Sequence, residues 1–321
     1  MANKEIKLPQ GFDTYDDLNS ALEQTLADWD KTGRTSLYST GIPKLDEYLG
    51  GGFGQENGYE IVLIHSTSKT YKSTLAMKFM VDSLYRGIPQ GWVILEGSLP
   101  EAINRARRTA ESYEVFDNAI RQNGHLIYSM SKEMKRSTYR LSDILSWMKY
   151  LRSTKDVRLF FVDPIGYAFD FSTRDPYDNE WSRQARFMQE LSAFAEDTNS
   201  TIVLVQHNTK DSGATSAFRA AAVGGSQTLT KAATKVIELR RNGTYLTIDG
   251  MHTTIALEYY FARHTRDHMY EPMILDISSR NDGIGMNIFV PTYRGADYAD
   301  NQLGGSEKKG IRHVWKGQIN E

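Results

Sequence analysis

Lys72 and Ser73 stand where an apolar run meets a helical stretch, and a lysine followed by a hydroxyl at such a junction can grip phosphate. The apolar run is Ile61-Val62-Leu63-Ile64, and the loop after it reads Ser66-Thr67-Ser68-Lys69-Thr70-Tyr71-Lys72-Ser73-Thr74. In the pattern G-x-x-x-x-G-K-[ST], glycines let backbone N–H groups curl around a polyphosphate. The lysine then reaches the β and γ phosphates, and the hydroxyl binds Mg²⁺. Ser66 and Tyr71 occupy the two glycine positions, so the strict pattern is missed. The strand-loop-helix context carries the reading instead. The plainer alternative is a helix N-cap beside an exposed lysine.

A second acidic group fits the same chemistry. Asp163 ends the run Leu159-Phe160-Phe161-Val162, and an acid closing a hydrophobic strand can hold the water shell of Mg²⁺. Two later segments carry cations near aromatics. Residues 166–181 contain Tyr167, Phe169, Phe171, Arg174 and Tyr177, and residues 208–225 contain Lys210, Phe218 and Arg219. Basic groups with aromatics nearby suit single-stranded nucleic acid, with Arg174, Lys210 and Arg219 as the contacts. Asp170, Asp175 and Asp178 give the first segment an acidic balance, so a lid or subunit contact explains it almost as well.

The elements that must position these residues alternate from Glu60 to about Val290. Apolar runs at Ile61–Ile64, Trp92–Leu95, Leu126–Tyr128, Leu159–Val162 and Thr201–Val205 are separated by helical stretches. Those stretches lie at Ser73–Tyr85, Glu101–Ser112, Leu141–Leu151 and Glu180–Asp197. Continuous rather than alternating hydrophobicity implies strands covered on both faces, hence a mostly parallel sheet. After Thr234, runs at 236–239, 245–248, 255–261 and 273–277 crowd together like hairpins. The fold class is therefore α/β, with a mostly parallel central sheet flanked by helices and finished by antiparallel strands.

Composition sets the outer bounds. The 321 residues include 40% hydrophobic and 24% charged side chains, ordinary for a soluble globular protein. No run approaches the ~18 apolar residues of a membrane helix, and no secretory signal is visible. The absence of cysteine excludes disulfides and thiolate metal sites, which fits a reducing cytoplasm. A net charge of −2 gives no overall attraction for nucleic acid, so local basic loops or a ring lumen would have to supply it. Residues 1–35 hold one helical stretch, Tyr15–Lys31, with Leu18, Leu22 and Leu26 on one face, either packed at home or strapped to a neighbouring subunit. Residues 36–296 form the main domain, and 297–321 a polar tail.

Ser39-Thr40-Gly41-Ile42-Pro43-Lys44-Leu45-Asp46, continuing to Gly50-Gly51-Gly52, resembles the T-G-x-x-x-L-D-x-x-x-G-G-G lead of the RecA/DnaB superfamily of P-loop ATPases. The resemblance covers roughly residues 36–290, and is nearest to the ATPase domain of DnaB-type, phage-like replicative helicases. The loop Ser68–Ser73 is similar to loops of phage recombinases in which an aromatic replaces the second glycine. The resemblance implies a RecA-like core, ATP and Mg²⁺ as ligands, and roles for further residues. Glu96, closing the second strand, would orient the attacking water. Gln206 would sense the γ-phosphate, with His207 as the fallback. Val223-Gly224-Gly225-Ser226-Gln227 followed by Ala232–Arg240 looks like the G-S-x-x-L-x-x-x-A-D segment, with Thr234 where Asp is common. Arg263 or Arg266 would reach the neighbour's γ-phosphate in trans, Arg266 being the first choice.

The function implied is a hexameric helicase or translocase motor on single-stranded DNA, with ATP hydrolysed between subunits. Its partners would be single-stranded DNA, further copies of the chain and replication or recombination proteins, with no membrane, in the cytoplasm, a phage-encoded protein acting in its host being the accompanying expectation. The alternative is a RecA-like strand-exchange recombinase forming filaments on DNA. A third class is a non-enzymatic assembly protein with a degenerate phosphate loop.

Overall fold

The computed structural model describes residues 36–55, 58–66, 69–131, 141–168, 180–207, 229, 232–247, 250–262, 273–280 and 283–289. Among them run β1 (Ser36–Tyr38), α1 (Pro43–Tyr48), β2 (Phe53–Gln55), β3 (Glu60–Ser66), α2 (Lys72–Tyr85), β4 (Gln90–Ile94), α3 (Leu99–Arg108), α4 (Tyr113–Asn123), β5 (Ile127–Ser131) and α5 (Leu141–Lys155). These are followed by β6 (Leu159–Asp163), α6 (Glu180–Thr198), β7 (Thr201–His207), β8 (Lys235–Thr247), β9 (Gly250–Ala262), β10 (Met273–Arg280) and β11 (Gly283–Phe289).

One nine-stranded sheet has the order β11-β10-β9-β8-β3-β7-β6-β4-β5. Every pair from β8 to β5 is parallel, and β8 through β11 pair antiparallel. The expected architecture is thus present, an α/β fold whose parallel centre ends in antiparallel strands. Alternation along each central strand divides the core. Val62, Ile64, Trp92, Phe161, Val203 and Val205 pack under α1 to α4. Ile61, Leu63, Val93, Phe160, Ile202 and Leu204 pack under α5 and α6. Both faces are covered, which is why these strands read as unbroken apolar runs.

Several boundaries differ from expectation. The stretch expected as one helix over 101–112 stops at Arg108, and a second helix, α4, begins at Tyr113 behind the cap Ser112. Gly124–Leu126 forms a 3-10 turn, so the strand expected from Leu126 starts at Ile127. The run at 236–239 and residues 245–247 of the next run belong to one 13-residue strand, β8, whose register against β9 shifts between Arg241 and Gly243, while Ile248 lies outside the described residues. The shift lets polar residues between the apolar runs stay in the ladder.

The segment leading to β3 is tied by side chains. Asp46 accepts from Thr40 N at 2.7 Å, Thr40 Oγ1 at 2.6 Å and Ser39 Oγ at 2.6 Å, so threonine and aspartate six residues apart close a loop. Gly52 adopts φ 124°, and a Cβ there would lie 2.1 Å from Tyr38 O, which rules out any side chain. Below the sheet, Lys235 Nζ lies 3.0 Å from Glu60 Oε1 and donates to Gly52 O at 2.8 Å, while Gly54 N donates to Glu60 Oε2. Thr234 Oγ1 accepts from Ile61 N at 2.9 Å and donates to Ile61 O at 3.0 Å. An ionised aspartate there could only accept.

Candidate active site

α2 begins at Lys72, immediately after the loop leaving β3, so its unpaired N–H groups and positive dipole end face the space above the strand ends. Lys69, Thr70, Tyr71, Lys72, Ser73, Thr74 and His207 line a cavity of about 410 Å³. That volume is in the range of small-ligand sites. Thr67 and Ser68 lie outside the described residues.

The two missing glycines are replaced in different ways. Ser66 ends β3 fully buried, and its hydroxyl hydrogen-bonds the Thr70 hydroxyl across the loop. Tyr71 caps α2 with φ 64° and ψ 21°, the left-handed conformation a glycine adopts easily. Its ring packs on the core beneath α1 to α4, and that packing holds a tyrosine at an angle it otherwise avoids. Lys69 also has positive φ, 61°. Left-handed residues with Thr70 between them are the kind of backbone that forms anion-binding concavities.

Lys72 is 3% exposed. Burial pushes its amine from the ordinary 10.5 down to about 8, against the opposing pull of the Asp163 and Glu96 carboxylates. Ser73 Oγ donates to Asp163 Oδ1 at 3.1 Å. Burial raises the Asp163 carboxyl to about 6, opposed by the Ser73 hydrogen bond and the Arg105 charge, with Glu96 adding to the rise and Lys72 opposing it. His207 is held below its usual range by burial and then by the Lys72 charge, while Glu96 acts the other way. These shared influences put Lys72, Asp163, Glu96 and His207 within electrostatic reach of one another.

Glu96 lies in an exposed bend just beyond β4. Sequence reasoning missed what braces it. Arg105 Nη2, two turns into α3, donates to Glu96 O at 3.3 Å. Gly97, at φ 84°, makes room, since a Cβ there would sit 2.5 Å from Glu101 Oε2 and 3.0 Å from Arg105 Nη2. The available signal was Ser98-Leu99-Pro100-Glu101, a capping box present in the structure that sets where α3 starts. Gln206, the penultimate residue of β7, is 5% exposed beside Gly166, and its Oε1 accepts no hydrogen bond among the described residues. Arg174, Lys210, Arg219, Arg263 and Arg266 fall outside the described residues.

The donor set fits a nucleoside triphosphate with magnesium. A buried amine and the helix N-terminus suit the phosphates, and a hydroxyl beside a carboxylate suits a hard cation. Among the described residues no cluster of three or more His, Asp or Glu could hold a metal, so phosphate oxygens and water would complete its shell. No helix among the described residues is long and apolar enough to cross a membrane.

Comparison with known proteins bears on the family and the fold. No curated protein sequence matches the chain. Among solved structures, the KaiC-like protein PH0186 from the hyperthermophilic archaeon Pyrococcus horikoshii OT3 is similar, with a TM-score of 0.53 and 18% identity. The match covers 77% of this chain and 97% of that one, and at this identity it speaks for a shared RecA-like fold alone. The family profile described as "ATPase: KaiC" matches residues 38–256, more than half of the sequence. The chain belongs to the KaiC ATPase family.

Proposed function

We propose that the chain hydrolyses ATP between subunits of a hexameric ring and uses the energy to move along single-stranded DNA. The observation that carries the ATPase part is the buried Lys72 amine beside the Ser73–Asp163 contact at the mouth of β3. Lys72 would hold the β and γ phosphates, and Ser73 and Asp163 would hold Mg²⁺. When bound, magnesium neutralises phosphate charge. Glu96 would orient a water for in-line attack and accept its proton, and Arg105 would fix the backbone that carries Glu96. Gln206 would read the γ-phosphate. A neighbour's Arg266, or Arg263, would stabilise transition-state charge, an effect that can reach ~10³-fold or more.

The DNA part rests on the resemblance to DnaB-type motors and on Arg174, Lys210 and Arg219 in the segments that follow β6 and β7. In this reading residues 1–35 strap one subunit to the next and 36–296 form the motor. Strand exchange on an open filament is the second reading, favoured by Tyr71 at the glycine position of the phosphate loop.

ATP turnover measured with and without single-stranded DNA, together with electron microscopy of the nucleotide complex, tests both parts. The motor reading expects DNA-stimulated turnover, closed rings, and loss of turnover in Lys72→Ala. Filaments would favour strand exchange. A rate indifferent to DNA would remove both DNA roles, and undiminished turnover in Lys72→Ala would remove the enzyme.

A further inference from the structure

Four residues other than glycine hold a left-handed backbone among the described residues: Lys69 at φ 61°, Tyr71 at 64°, Asp156 at 50° and Asn199 at 47°. Asp156 and Asn199 are of the types that enter this region most readily. Tyr71 is held there by its ring, which packs on the core beneath α1 to α4. Lys69 has neither reason. Its side chain is exposed and makes no hydrogen bond or ion pair among the described residues. Glycine would hold the same angle without the clash that a Cβ brings.

Backbone strain with no return in packing is a feature of ligand clamps, and Lys69 stands at a cavity. It lines the space above β3 together with Lys72, Ser73 and His207. The two residues after it are anchored. Thr70 is 2% exposed and its hydroxyl bonds the buried Ser66 hydroxyl, while Tyr71 is fixed by its ring. With these pinned, the Lys69 backbone is set at the cavity wall and its four-carbon stem is the part left to move. Asp163 and Glu96 both act on the Lys72 amine, so a polyphosphate entering beside Lys72 meets like charge from two carboxylates. A further cation at the wall offsets that repulsion.

We propose that Lys69 is a second phosphate-binding cation of this loop, its ammonium closing from the solvent side on a nucleoside polyphosphate that the buried Lys72 holds from within. The strain at its backbone is then offset only when the ligand is bound. This rests on the reading of the loop as the ATP site and deepens it by adding a contact from the exposed wall.

Isothermal titration calorimetry with ATP and Mg²⁺, at low and high salt, tests it on wild type, Lys69→Gly, Lys69→Gln, Lys69→Arg and Lys72→Ala. Glycine removes both the charge and the strain, glutamine removes the charge alone, and arginine keeps both. Because the side chain is exposed, each Lys69 variant should keep the fold, which urea melts check. The expected Kd is about five- to tenfold higher in Lys69→Gly and Lys69→Gln alike, and within about twofold of wild type in Lys69→Arg. Salt should weaken binding less in the glycine and glutamine variants than in wild type, since a charged contact has gone. Wild-type affinity in Lys69→Gly, a loss in Lys69→Gln that glycine does not share, an arginine variant as weak as glutamine, or unchanged salt dependence would overturn the inference. A wild type that binds no ATP, or Lys72→Ala binding as tightly as wild type, would overturn the ATP-site reading and this inference with it, and the Lys72→Ala control tells that failure from the first.

Discussion

Ser73 Oγ donates to Asp163 Oδ1 across 3.1 Å, joining the first turn of α2 to the end of β6, although β7 lies between β6 and β3 in the sheet. The contact exists because α2 leaves β3 over the face where Asp163 emerges, following Phe161 of the same face. A hydroxyl and a carboxylate from elements ninety residues apart are thus brought side by side, the pair that the proposed function assigns to magnesium.

Asp163→Asn keeps an acceptor for Ser73 but removes the charge. Turnover is expected to fall about 10–100-fold, with a higher Mg²⁺ concentration needed for half-maximal rate. Steady-state rates across a Mg²⁺ titration check this, and an unchanged Mg²⁺ dependence would assign the metal elsewhere.

The buried Lys72 amine makes the empty site costly. Its pKa is about 8 in the folded protein against 10.5 ordinarily, so between those values the unfolded chain holds more protons. Stability attributable to this group therefore rises from pH 8 to 10.5, and the full penalty remains below pH 8. Lys72→Met should stabilise the nucleotide-free protein by roughly 2 kcal/mol at pH 7, with the gain shrinking as pH rises. Urea melts from pH 7 to 10 measure it. A gain independent of pH would show that desolvation of the amine is not its source.

Tyr71 combines a strained angle with useful packing. Tyr71→Ala loses the ring and keeps a side chain at φ 64°, whereas Tyr71→Gly loses the ring and the strain. Alanine should be the less stable variant by about 1 kcal/mol in denaturant melts. The reverse order would mean that the loop does not hold the left-handed turn in solution.

Lys235 and Glu60 form a buried ion pair, 6% and 1% exposed at their side chains. Lys235→Met leaves a carboxylate inside without its cation and should cost about 3–5 kcal/mol. Adding Glu60→Gln should return part of that loss, although Gly54 N then donates to a weaker acceptor. Chemical denaturation of the single and double variants checks the coupling, and additive losses would deny it.

Some of this was legible from local pattern. The central strands stood out because burial on both faces leaves an unbroken apolar run, and Lys72, Ser73 and Asp163 because each sits at a strand or helix end. Where one helix gives way to another at Arg108 was less visible, because the residues between α3 and α4 suit either state and packing decides.

Taken alone, then, the sequence determined the α/β class, the position of the loop between β3 and α2 and the acidic end of β6. These depend on period and on short-range context, which a linear reading contains. Only the tertiary structure decided that Tyr71 adopts the glycine angle, that Arg105 braces Glu96, and that Lys235 neutralises Glu60. Each of these depends on strand order and register, which bring distant residues within a few ångströms. Hydrophobic patterning says which face of a strand is buried, but it does not say which strand lies beside it.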